Sequence, residues 1–289
     1  MSARLTLLAR LIRAIGPESA PNELRWMQQA CARTDDSERL EDMVARREGG
    51  EPLQYILGTQ PFGPLELLVR PPTLIPRPET EDWALRVARE LAPTPKTPAR
   101  VLDLCTGSGC IPLLLCSLWP RGSVRAVGVD ISTDALALAR DNAREVGIRD
   151  DLQAVDTDNV FQPMYGDLSD PAVLASTLPL RPYTLVTANP PYIPKEEYDG
   201  LDGSVRNWED RKALLGTDSD GLGMYRTITE LVRTEGVLQK RGAMIALEVG
   251  KGQAGVVQDM VGSSGVFAGV EIWKDPWDVE RVVVGRTRN

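Results

Sequence analysis

Val101-Leu102-Asp103-Leu104-Cys105-Thr106-Gly107-Ser108-Gly109 decides the fold. Val101 to Leu104 reads as a β-strand, and Thr106-Gly107-Ser108-Gly109 as a tight turn. Gly107 and Gly109 let the backbone turn sharply and leave no Cβ in a ligand's way. Ile111 to Leu118 is then an apolar helix, and Val124 to Val129 a second strand ending in Asp130. Strand, glycine turn, helix, strand is the start of a parallel sheet with helices on its faces.

The alternation continues outward. Ser132 is placed to cap a helix bearing Leu136, Leu138 and Ala139, which Gly147 ends. Tyr183 to Ala188 is a β-rich run leading into Asn189-Pro190-Pro191-Tyr192. Leu222 to Leu238 has the period of one long helix, Ala243 to Val249 reads as a buried strand, and Val266–Trp273 with Val279–Gly285 as a closing antiparallel pair. Residues 148–182 are poorly patterned, and 155–159 read as an irregular insertion.

Upstream the pattern differs. Residues 1–58 read as a small helical module. Asn22 is placed to cap one helix there, and Asp35, Asp36 and Ser37 to open another that Gly49-Gly50 stop. Residues 59–80 hold six prolines around Phe62 to Val69, as expected of a β-hairpin linker followed by a stiff loop. Thr80 is placed to cap the next helix; Arg77 and Glu79 either cover a site or support that helix.

Composition narrows the chemistry. The 289 residues contain no histidine, which excludes His-based nucleophile systems and His-liganded zinc. No metal site is expected. Cys31, Cys105, Cys110 and Cys116 lack metal-ligand spacing and read as buried reduced thiols. A net charge of −8 disfavours a nucleic-acid partner, which calls for a basic footprint. No apolar run is long enough to span a membrane.

Asp130 lies 21 residues after Gly109, where a carboxylate can accept both ribose hydroxyls, so the cofactor contains a nucleoside. The third glycine of a dinucleotide fingerprint would fall at Pro112, which disfavours a pyrophosphate. Asp167 sits where a third strand should end and can accept from an adenine amine. At Asn189-Pro190 the two prolines stiffen the backbone, leaving the Asn189 side-chain oxygen and the Pro190 carbonyl as a rigid acceptor pair. Such a pair suits a substrate –NH2 group beside a methyl donor. Tyr192 either walls that pocket or is a core tyrosine. Glu248 either lines the cleft or is buried for structure.

The chain resembles the HemK/PrmC family of protein-(glutamine-N5) methyltransferases, which modify the Gly-Gly-Gln glutamine of peptide chain release factors. The likeness spans Glu51 to Gly58, Leu74 to Glu81, Asp103 to Ile111, Asp130, Asn189 to Ile193, Ala213-Leu214, Asp220 to Leu222 and Leu247 to Gly250. It implies an α/β fold: a seven-stranded Rossmann-like class I methyltransferase domain (81–289) behind a helical substrate-recognition domain (1–58) and a β-hairpin linker (59–80). It also implies S-adenosylmethionine as cofactor and a release factor as protein partner. The binding residues expected are Cys105, Thr106, Gly107, Ser108, Gly109, Asp130, Asp167, Leu168 and Asn189 for the cofactor, and Asn189, Pro190, Pro191 and Tyr192 for the substrate. Asn189 and Pro190 are the catalytic pair. Cys105 departs from the family, standing where many members have glycine; Leu168 replaces a frequent aromatic, and 149–166 is longer than expected.

Met1 to Gly16 is amphipathic, Arg-bearing and acid-free, the composition of a mitochondrial transit peptide as well as of a first helix. Asn22 to Trp26 and Leu104-Cys105-Thr106 resemble fungal mitochondrial members most. The expected compartment is therefore the mitochondrion, with the cytoplasm as the alternative. The rival function is an adenine-N6 nucleic-acid methyltransferase, which would use the same Asn-Pro-Pro-Tyr logic on an exocyclic amine.

Overall fold

The computed structural model describes residues 3–34, 38–152 and 157–288. The expected opening of a helix by Asp35, Asp36 and Ser37 lies outside the described residues, as do residues 155 and 156 of the expected insertion at 155–159.

Four helices come first: α1 (Ala3–Ile15), α2 (Ala20–Thr34), α3 (Glu38–Glu48) and the short α4 (Leu53–Leu57). Leu11, Met27, Met43 and Val44 are fully buried between them and form a core separate from the sheet's. The Arg-bearing N-terminal stretch is thus a packed helix, with Leu7 and Leu11 inward and Arg10 paired with Glu48. Asn22 does not cap α2. The helix starts two residues earlier, with Pro21 in its first turn where the missing N–H costs nothing, and Asn22 Oδ1 accepts from Arg25 instead.

A hairpin follows, β1 (Thr59–Phe62) and β2 (Leu65–Leu68). Its Phe62 and Leu67 are buried in the core of the catalytic sheet, so the hairpin is packed onto the domain it introduces. Burying two such side chains contributes about 3–6 kcal/mol by area.

The remaining elements are α5 (Pro78–Glu90), β3 (Ala99–Leu104), α6 (Cys110–Leu118), β4 (Val124–Asp130), α7 (Thr133–Glu145), β5 (Val160–Tyr165), α8 (Pro171–Thr177) and β6 (Leu185–Ala188). Three one-turn helices α9 (Lys195–Tyr198), α10 (Gly203–Arg206) and α11 (Arg211–Leu214) lead to α12 (Gly223–Arg233). Then come β7 (Met244–Glu248), α13 (Ala254–Gly262), β8 (Gly269–Lys274) and β9 (Glu280–Arg286). Helix α12 stops short of the expected Leu238. Thr234 is extended and Gly236 turns with φ +81°, freeing residues 237–239 to bond the backbone of Tyr183 and lengthen the sheet.

Seven strands form one sheet in the order β5-β4-β3-β6-β7-β9-β8. Only β9 runs against the others. Alternation sorts the buried side chains. Leu102, Leu104, Val127 and Val129 face the core under α8, α12 and α13, and Val101, Val124 and Ala126 the one under α5, α6 and the hairpin. Strand order reverses between β3 and β6, and an open α/β sheet carries its ligand crevice at the carboxyl ends of such a pair.

Candidate active site

A cleft of about 760 Å³ opens at that point, within the usual range for a small-molecule site. Cys105, Gly107, Asp130, Asp167, Leu168, Asn189 and Pro191 line it. Three other expected cofactor residues do not. Thr106, Ser108 and Gly109 are buried behind the turn and set its shape. The Thr106 hydroxyl donates to Asp103 Oδ2 at 2.6 Å, and Ser108 C=O accepts from Asn142 Nδ2 at 3.0 Å. Gly109 has φ +79° and backs onto Phe161 so closely that a Cβ would lie 2.7 Å from its ring.

The turn is pinned from both sides. Parallel register sets Asp103 beside Thr187, whose hydroxyl donates to Asp103 Oδ1 at 2.6 Å. With no solvent contact, the Asp103 carboxyl is pushed up to about 7 by burial, although both threonine bonds pull the other way. Cys105 has φ +57°, the left-handed region that suits glycine. A residue other than glycine at this position therefore stores local strain at the cleft wall. Burial, with Asp130 and Asp103 nearby, raises the Cys105 thiol well above its ordinary value, so it is no thiolate nucleophile.

Asp130 Oδ2 accepts from Gly107 N–H and Oδ1 from Ser132 N–H, both at 2.9 Å. Each oxygen keeps a second acceptor site for a hydroxyl. Burial raises the Asp130 carboxyl, and the Ser132 and Gly107 N–H bonds partly offset this. Asp167 is exposed at the rim; Ser169 holds its carboxyl below the usual range. Leu168 is buried beneath. A glycine turn without Cβ, a paired acid with free acceptor capacity, a rim acid and an apolar floor fit a nucleoside.

Asn189 follows β6 at the edge of the cleft. Its Nδ2 donates to Thr80 Oγ1 at 3.1 Å. Among the described residues neither Asn189 Oδ1 nor the Pro190 carbonyl accepts a hydrogen bond. Pro190 itself is buried and outside the cleft lining. Tyr192 is also outside it, with its hydroxyl 3.4 Å from Glu248 Oε1 and its carbonyl bonded by Gln253 Nε2 at 2.9 Å. Its hydroxyl is raised by burial and by Glu248.

Several residues have roles that the sequence reading misjudged or left open. Thr80 is not a cap: Arg77 takes that position, Pro78 starts the helix, and Thr80 turns inward. Glu248 is buried, outside the cleft lining, where it accepts from Thr80 and Trp83. Arg77 pairs through one nitrogen with both oxygens of Glu209, at 2.6 and 2.8 Å, tying the proline loop to the α9–α11 excursion. Thr73 and Leu74 close one side of the cleft, and segment 210–217 another. Only short quoted fragments of that segment pointed to it. Among the described residues no group of three His, Cys, Asp or Glu could hold a metal, and no helix is long and apolar enough to cross a membrane.

Sheet order, the single reversed strand and a nucleoside-sized cleft at the β3/β6 switch point define a Rossmann-like methyltransferase fold. The hMettl16 catalytic domain in complex with MAT2A 3'UTR hairpin 1 has the same fold, with a TM-score of 0.58, 16% identity and coverage of 84% of this chain and 81% of that one. Residues 21–58 match the PrmC N-terminal domain. The release factor glutamine methyltransferase of Geobacter sulfurreducens is 37% identical over 94% of this chain and 91% of its own. That of Pseudomonas aeruginosa is 36% identical over 99% and 93%. The chain belongs to the release factor glutamine methyltransferase family.

Proposed function

We propose that this enzyme transfers a methyl group from S-adenosylmethionine to the side-chain amide nitrogen of the glutamine in the Gly-Gly-Gln segment of a peptide chain release factor. The observation that carries this reading is Asn189, which lines the cleft with its Oδ1 unused and is followed by the Pro190 carbonyl, which likewise accepts no hydrogen bond among the described residues. Gly107, Asp130, Asp167 and Leu168 would hold the cofactor, which supplies an electrophilic methyl on a sulfonium.

An amide nitrogen is a poor nucleophile because its lone pair is delocalised into the carbonyl. Asn189 Oδ1 and the Pro190 carbonyl each accept one of the two amide N–H groups. This orients the nitrogen toward the cleft and stabilises the positive charge that grows on it. Alignment of this kind lowers a barrier by as much as about 7–11 kcal/mol. Bound S-adenosylmethionine would supply the methyl, its S–C bond breaking as the N–C bond forms, and the methylated amide would then lose a proton to water. No histidine base is needed.

The mitochondrial compartment rests on the composition of Met1 to Gly16 together with the resemblance of Asn22 to Trp26 and Leu104-Cys105-Thr106 to fungal mitochondrial members. Because Leu7 and Leu11 belong to the helical core, we propose that any address there is read without removal of α1. N-terminal sequencing of the organellar protein tests this; a mature chain starting after Gly16 would overturn it.

The deciding experiment incubates the enzyme and labelled S-adenosylmethionine with a release factor, its Gln→Ala variant in the Gly-Gly-Gln segment, and nucleic acid. Label on the first alone is expected. Label on nucleic acid alone would replace this reading with adenine methylation.

A further inference from the structure

An Asn side chain has two ends of nearly equal shape and opposite hydrogen-bonding sense. Only Oδ1 can accept from a substrate amide; Nδ2 in its place would set donor against donor. We propose that Thr80, Trp83 and Glu248 are positioning residues that fix which end of Asn189 faces the substrate. The inference deepens the amide-methylation reading and rests on it.

The polarity of the chain of bonds follows from its far end. The Trp83 indole N–H can only donate, and it does so to Glu248 Oε2 at 2.8 Å. That oxygen is therefore an acceptor. Thr80 Oγ1 lies 2.6 Å from the same oxygen and must give it its single proton. The Thr80 oxygen then has only lone pairs left, so the Asn189 atom 3.1 Å away has to be Nδ2. Oδ1 is turned away from Thr80. This direction is that of ionised Glu248, whose oxygens can only accept. Burial raises the carboxyl, the Thr80 and Trp83 bonds pull it back, and the Tyr192 hydroxyl donates toward Oε1 at 3.4 Å.

The fold supplies the placement. Parallel pairing of Ala188 with Leu247 brings the next residues, Asn189 and Glu248, side by side. Thr80 and Trp83, three apart in the first turns of α5, share a helix face. Thr80, Trp83 and Glu248 are each only 2% exposed, so water does not compete for the bonds. A carboxyl this deep is costly compared with an apolar side chain of similar volume, and packing α5 on the sheet does not require one.

The test compares wild type with Thr80→Val, Thr80→Ser and Glu248→Gln in methyl transfer to a release factor. It reads kcat, KM for the release factor, the Kd of S-adenosylmethionine and Tm. Thr80→Val should lower kcat on the order of tenfold, the upper range for one hydrogen bond, with KM and Kd within about twofold. Thr80→Ser should restore at least half of the rate. Glu248→Gln should also retain at least half, since its carbonyl oxygen can accept both bonds. Unchanged kcat in Thr80→Val, or equal loss in Thr80→Ser, would overturn the proposal.

A second readout needs no substrate. In 15N-labelled protein the Asn189 side-chain amide protons should exchange with solvent at least about fivefold more slowly than in Thr80→Val. Equal exchange overturns the relay. If wild type transfers no methyl to any release factor yet protects these protons, the relay stands and the substrate assignment falls. Should Thr80→Val not fold, Trp83→Phe replaces it, with kcat and exchange shifted in the same directions.

Discussion

Asn142 offers a sharp test of how the glycine turn is held. It lies on α7 with no solvent exposure. Its Oδ1 accepts from Leu68 N–H at 2.6 Å, and its Nδ2 donates to Leu68 C=O at 3.1 Å and Ser108 C=O at 3.0 Å. One side chain thus ties the hairpin and the back of the glycine turn to the same helix. Asn142→Ala removes all three bonds. Each orphaned group costs about 1–3 kcal/mol when buried. Leu68 is half-buried, so water can reach its two groups and each sits near the lower limit, whereas Ser108 is enclosed. The expected loss is about 3–5 kcal/mol, a large share of a typical domain's ~5–15 kcal/mol.

Asn142→Asp has nearly the same shape and keeps the Leu68 N–H bond, but turns a carboxylate oxygen on two carbonyls. Its folded-state pKa must then rise above the ordinary carboxyl value. The variant should be near its most stable below about pH 4 and lose stability as pH rises through that raised pKa. Urea unfolding by circular dichroism measures both effects, and calorimetry with S-adenosylmethionine should show weaker binding. An Asn142→Ala loss under about 1 kcal/mol, or an Asn142→Asp penalty flat from pH 4 to 8, would refute the reasoning.

Gly109→Ala should cost roughly 2–5 kcal/mol, from left-handed backbone strain plus overpacking on Phe161, and a wild-type urea midpoint would count against it. Asp103, raised from 3.8 to about 7, binds its proton more tightly folded than unfolded. Its contribution is therefore full below about pH 4 and lost as pH climbs through about 7; the stability difference between wild type and Asp103→Asn should fall over that window and level off above it. Arg77→Met leaves Glu209, with 1% side-chain exposure, without its partner, and should lower stability by about 3–5 kcal/mol in a urea titration; a loss below about 1 kcal/mol would show that water reaches that carboxylate.

Much of the frame was legible. Gly107 and Gly109 carry their signal locally, because positive φ and close approach are properties of one residue. Asp130 and Asn189 were legible because strand ends show in the alternation. Position 105 was flagged only as a departure from the family; the φ of +57° explains why glycine is the easier residue there. Thr80 was misread as a cap because an N-cap and an inward-facing third residue of a helix look the same on paper, and Pro78 decided between them. The missed part of the cleft wall, 210–217, comes from one-turn helices too short to leave a periodic trace.

By itself the sequence determined the strand-turn-helix alternation, the glycine turn, the acid after β4 and the amide after β6, since each depends on neighbours within a few positions. It also determined that histidine chemistry is absent. Only the tertiary structure decided that Thr106, Ser108 and Gly109 shape the turn from behind, and that Asn142 stitches the hairpin to it. The orientation of the Asn189 amide was decided there too. Its bond to Thr80 joins residues 109 apart, and Thr80 reaches Glu248 across 168. Partners that far apart are chosen by how α5 and β7 pack at the sheet's carboxyl edge, where burial removes the water that would otherwise satisfy each group alone.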